Sequence, residues 1–171
     1  MKGVVFTEFL AMVGDQMSDD MVDMILEDAA PASGGAYTAV GYYDWREMTA
    51  LVAALSRRTG VPVSDLFHRF GRHIFTVLYD GHRQYLKAYD SAFDMLQDIE
   101  QHIHVSVRKL YPEAELPTFR FERVDADTLR ISYSSPRPLA WLCAGLVAQC
   151  CTHFGEDIQI DCLTARDRIG H

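Results

Sequence analysis

PTFRFERVDADTLRISYS, residues 117–134, is the stretch on which the fold class turns. PTFRFERV (117–124) and TLRISYS (128–134) alternate apolar with polar residues, the period of a half-buried strand. The short DAD (125–127) between them is turn chemistry, so the pair reads as an antiparallel hairpin. Upstream the period changes. Phe93, Leu96, Ile99, Ile103, Val107 and Leu110 recur at spacings of three and four, which predicts a continuous helix from about Ser91 to Leu110.

Four further helices are expected before it. Val4, Val5, Phe9, Leu10, Met12 and Val13 give residues 3–14 an apolar face. SDDMVDMILEDA (18–29) opens on a Ser/Asp cap with an acidic first turn. APASGGAY (30–37) is a loop, because Pro and paired Gly sustain no element. Asp44 caps a helix ended by Gly60, and Ser64 or Asp65 starts one running to about Tyr79. After the hairpin, residues 138–154 return to helix, with Pro138 suited to the first turn. EDIQIDCLT (156–164) is a last strand candidate. The class is α+β: an N-terminal helical half, then helices among antiparallel strands.

The bulk numbers narrow the function. A chain of 171 residues suits one domain with a sizeable core. A net charge of −8 disfavours nonspecific nucleic-acid binding. Nothing approaches the roughly 18 apolar residues of a membrane span, and the N-terminus reads as a structural helix rather than a signal peptide. Cys143, Cys150, Cys151 and Cys162 form no C-x-x-C pair, and a reducing cytoplasm is the simpler home. There is no P-loop, G-x-S-x-G elbow or H-E-x-x-H, so an enzyme is not expected.

Two places carry chemistry. His102 and His104 would share a face on a strand, but on a helix they point about 200° apart and cannot chelate one metal. Each lies roughly 100° from the centre of the apolar stripe. Periodicity does not choose between them, and both are equally readable as boundary residues. Downstream, Tyr133, Ser135 and Arg137 alternate as a strand runs into a helix, so their side chains project to one face. Three donors there, one a planar fork, suit carboxylates or phosphates. A satisfied strand end with an arginine–aspartate bridge is the plainer alternative.

Taken in order, MKGVVF at the start, FHRFGRHIF (67–75), LYPEAELPTF (110–119) and YSSPRP (133–138) resemble the heme nitric oxide/oxygen-binding (H-NOX) family over essentially the whole chain. The closest type is the bacterial stand-alone NO sensor. The resemblance implies one noncovalent b-type heme (protoporphyrin IX iron). Its sole protein ligand lies seven residues before the Tyr of Tyr111-Pro112, which is His104 rather than His102. It also implies that Tyr133, Ser135 and Arg137 hold the propionates and that Pro117 contacts and helps distort the macrocycle. A distal helical part over about 1–60 and a proximal part over 61–171 follow, with the chain stopping at DRIGH before the family's final strand.

Ligand choice is read from the distal face. Bound O2 gains from a hydrogen-bond donor, whereas NO binds ferrous iron tightly without one. Family members that hold O2 place a tyrosine five residues after the motif arginine, where this chain has Leu142. Phe9, Ile74 and Val5 complete an apolar lining. The resemblance therefore implies a five-coordinate ferrous heme that binds NO and CO and discriminates against O2. Signalling would follow loss of the His104–iron bond, read by a separate histidine kinase or cyclic-di-GMP enzyme. Two alternatives stay open: an O2-binding member of the same family, or a zinc or thiol redox regulator using the C-terminal cysteines. Against the second, the positions expected to partner Cys162 read Ala140 and Ala165.

Overall fold

The computed structural model describes residues 1–163, with all of their side chains except those of Tyr85 and Leu110. The helical half is α1 (Gly3–Gln16), α2 (Asp19–Ala29), α3 (Trp45–Thr59) and α4 (Val63–Gly81). The caps are those the composition calls for. Ser18 Oγ accepts from Met21 N at 3.1 Å, ahead of Asp19 and Asp20 in the first turn of α2, where carboxylates suit the helix dipole. Asp44 Oδ1 accepts from Arg46 N at 2.9 Å, and Gly60, at φ 72°, ends α3 in the left-handed conformation. The cap of α4 is Pro62, not Ser64 or Asp65, which lie inside the helix.

The short α5 (Arg83–Leu86) follows, then α6 (Ala92–Gln97) and α7 (His104–Leu110). The continuous helix expected over 91–110 is corrected here. A π turn, Ile99–Ile103, separates α6 from α7, and the backbone N–H of His104 bonds back five residues to Ile99 O. The wider turn holds one residue more than an α turn. It therefore shifts the phase of every side chain after it, His104 first.

The hairpin is β1 (Thr118–Arg123) and β2 (Leu129–Ser134), antiparallel, with Phe119 opposite Tyr133 and Phe121 opposite Ile131. Asp125 Oδ1 accepts from Asp127 N at 2.9 Å within the connection, the Asx chemistry anticipated from DAD. α8 (Ala140–His153) then crosses α4, leaving Pro138 just before the helix rather than in its first turn. Residues 156–163 form neither helix nor strand, against the expectation of a last strand, and Thr164 lies outside the described residues. Among the described residues β1 and β2 pair only with each other, and the segment joins neither of their outer edges.

Two apolar clusters make the core. One joins α1, α2, α3 and the first part of α4 to Leu139 and Leu142; the other joins Phe75, Tyr79, Met95, Leu96, Cys150 and Cys151. Both clusters draw on α4 and α8, the pair in closest contact. A Cβ on Gly71 would stand 2.2 Å from Leu142 O, and one on Gly145 would stand 2.1 Å from His68 O. These two glycines let the helix backbones touch, which presses the start of α8 against Ile74.

Candidate functional site

The candidate site is built from α7, the hairpin and the segment that leads from β2 into α8. His104 is the first residue of α7 and 8% exposed; it is the one buried polar or charged residue among the described residues. Its Nδ1 is buried without an aligned hydrogen bond, 3.2 Å from Glu100 Oε1. Burial pushes the imidazole below its ordinary pKa, with the Glu100 carboxylate opposing, which favours the neutral ring a metal requires. His102 has the opposite fate. It is exposed, and its Nδ1 pairs with Asp98 Oδ1 at 2.5 Å. The π turn thus separates two histidines that an ideal helix leaves equivalent.

Aromatic contacts carry His104 to the hairpin. Its ring lies 5.7 Å from that of Phe119, and Phe119 lies 5.6 Å from its cross-strand partner Tyr133. Tyr133, Ser135 and Arg137 are half-buried, while Ser134 and Pro136 between them, and Pro138 after them, are exposed, so the three share the inward face. Ser135 Oγ accepts from Arg137 N at 3.1 Å. The Arg137 guanidinium donates to Glu115, not to an aspartate; its side chain is 12% exposed against 78% for Glu115. Burial raises the Tyr133 phenol above its ordinary pKa, with the hydrogen bond to Ser135 opposing, so it stays a donor. Pro117 is half-buried in the segment leading into β1.

The apolar residues also converge. Phe9, Ile74 and Leu142 sit in one buried cluster, and Val5 packs against it partly buried. Tyr37 and Tyr43, which the sequence did not single out, pack there too, but their hydroxyls are engaged elsewhere. Tyr37 donates to Glu47 Oε2 at 2.8 Å, and the Tyr43 oxygen accepts from Thr38 N at 2.8 Å. Glu100 and Glu115 were also missed. Glu100 carried a usable signal, since it precedes His104 by the same four residues that separate Asp98 from His102.

The cysteines offer little to a metal or an oxidant. All four are free, and burial raises the thiols of Cys143 and Cys150 to about 12, leaving them protonated at neutral pH. Among the described residues no three His, Cys, Asp or Glu side chains gather around a point. Cys162 is exposed, as is Ala140, and Ala165 lies outside the described residues. No described helix is long and apolar enough to cross a membrane.

The family model for haem-NO-binding proteins matches residues 2–162. The chain belongs to the haem-NO-binding family. An unliganded Fe(II) H-NOX protein from K. algicida is similar at 38% identity and a TM-score of 0.89, covering 98% of this chain and 91% of that one. An H-NOX from Shewanella woodyi in the Fe(II)CO ligation state is 39% identical, with a TM-score of 0.79 and coverage of 92% and 83%. One from S. oneidensis in the Fe(II)NO state is 29% identical, with a TM-score of 0.89 and coverage of 100% and 94%. No curated protein matches the chain. The α+β architecture is that of these H-NOX neighbours. The residues present fit the heme that the family binds: a buried imidazole, a half-buried Tyr/Ser/Arg face and a large apolar cluster.

Proposed function

We propose that this chain is a gas-sensing heme domain that binds NO and CO, discriminates against O2, and reports to a separate protein. The observation that carries the reading is the burial of His104, alone among the polar and charged described residues, with its ring 5.7 Å from that of Phe119, the cross-strand partner of Tyr133. A buried, neutral imidazole with a carboxylate beside its Nδ1 suits a protein ligand to a noncovalent b-type heme. When bound, that group supplies a ferrous centre with one face open to a diatomic gas.

The chain's own residues hold and shape the site. Arg137, Tyr133 and Ser135 would anchor the two propionates through charge-assisted and neutral hydrogen bonds, Arg137 exchanging Glu115 for them. Pro117 would press on the macrocycle from the segment before β1. Val5, Phe9, Ile74 and Leu142 offer no donor, so O2, which depends on one, is disfavoured relative to NO. Release of His104 from the iron would free α7 against the hairpin and so move the helical half, about 1–60, relative to the rest. The reader of that movement is a histidine kinase or a cyclic-di-GMP enzyme, in the cytoplasm, and the domain itself catalyses nothing.

Absorption spectra of the reduced protein under NO, CO and air test this reading. NO and CO complexes without a stable oxy complex are expected, with NO yielding the spectrum of a heme that has lost its histidine. A stable oxy spectrum in air, or a protein that takes up no added heme, overturns it.

A further inference from the structure

Each histidine of the pair has a carboxylate four residues before it, but the two carboxylates have different tasks. Asp98 meets the exposed His102, whereas Glu100 sits in the π turn beneath the buried His104. Glu100 Oε1 accepts from Phe119 N at 2.8 Å and lies 3.2 Å from His104 Nδ1. That nitrogen has no hydrogen-bond partner of proper alignment, so a small rotation of the ring onto Glu100 satisfies it. Phe119 faces Tyr133 across the ladder, which makes one oxygen the junction between the π turn and the strand pair carrying the Tyr/Ser/Arg face.

We propose that Glu100 is the positioning residue of His104. This rests on the reading of His104 as the iron ligand. The carboxylate holds the proton on Nδ1, which sets the tautomer, leaves the Nε2 lone pair facing the metal and fixes the plane of the ring. An anionic acceptor also makes the imidazole a stronger electron donor, and so strengthens the bond whose loss is the proposed signal. Because the same oxygen holds β1, a shift of the hairpin pulls on the ring directly.

The iron–histidine stretch in the resonance Raman spectrum of the ferrous, unliganded protein tests this. E100Q keeps an acceptor for Phe119 N–H and for the ring but removes the charge; its band is expected at lower frequency with unchanged width. E100A removes both, so its band is expected lower still and broadened, with the histidine lost several-fold faster after NO is added. In the diamagnetic Fe(II)CO protein, the His104 Nδ1–H resonance should move upfield in E100Q. Unshifted bands and resonance in E100Q, while H104G still needs added imidazole, refute the role of Glu100 and leave His104 as ligand. A parent-like band in H104G removes the His104 reading and this one with it. If E100A fails to fold, E100Q decides alone.

Discussion

His102 Nδ1 lies 2.5 Å from Asp98 Oδ1, so the exposed member of the histidine pair is committed to a surface carboxylate. His104, two residues on, is buried, with its Nδ1 3.2 Å from Glu100 Oε1. Replacement should separate them cleanly. H104G is expected to lose the axial ligand and recover it only with added imidazole, while H102G keeps the parent ferrous spectrum. Absorption spectra with and without imidazole check both.

Leu142 is buried beside Phe9 and Ile74, in a cluster without a free hydroxyl. L142Y places a phenol donor there. The expected result is a ferrous protein that holds O2 in air, seen as a stable oxy spectrum, at a packing cost of about 1–3 kcal/mol. Rapid oxidation in air at the parent's rate would count against the distal role of this position.

Arg137 is largely buried but holds only an exposed partner, Glu115. R137Q removes the charge that would meet a propionate. A charge-assisted hydrogen bond contributes about 1.5–3 kcal/mol, so heme should leave roughly ten- to a hundredfold faster. Transfer to an apo-globin acceptor measures this.

The α4–α8 crossing predicts a stability defect away from the chemistry. G71A puts a methyl 2.2 Å from Leu142 O, a clash with backbone that no side-chain rotation relieves. A loss of about 1–3 kcal/mol is expected, which lowers Tm by roughly 2–12 °C. G81A, in the same helix but with nothing within 4 Å, should leave Tm unchanged or slightly raised. Thermal denaturation followed by circular dichroism distinguishes them.

Tyr89 Oη donates to Asp98 Oδ2 at 2.5 Å and links stability to pH at both ends. Burial and the Asp98 carboxylate raise the phenol to about 12. Its ordinary value is near 10, so its contribution is complete below about pH 10 and is lost as pH rises towards 12. The Tyr89 hydrogen bond, with His102 assisting, holds the Asp98 carboxyl below its ordinary value. Its contribution is present above about pH 4 and is lost as pH falls through the folded value. Urea denaturation across pH should show both limbs, and Y89F should flatten the alkaline one.

One face of the candidate site was legible because it rests on local periodicity, whereas His104, Pro117 and the apolar lining were named only by the family resemblance. The period of two placed Tyr133, Ser135 and Arg137 on one face, and the structure keeps them there. The caps at Ser18, Asp44 and Gly60 followed from residue chemistry within one turn. The strand expected at 156–164 did not form over its described residues, because alternation marks a candidate while pairing is decided by contacts distant in the chain.

The two histidines divide most sharply between levels. Sequence by itself determined the α+β class, the hairpin and the inability of His102 and His104 to share a metal on a helix. Only the tertiary structure decided which of them is buried. The apolar spacing of three and four that marks a helix carries no sign of the π turn inside it. The turn's one extra residue turns His104 inward towards Phe119 and leaves His102 to Asp98 and solvent.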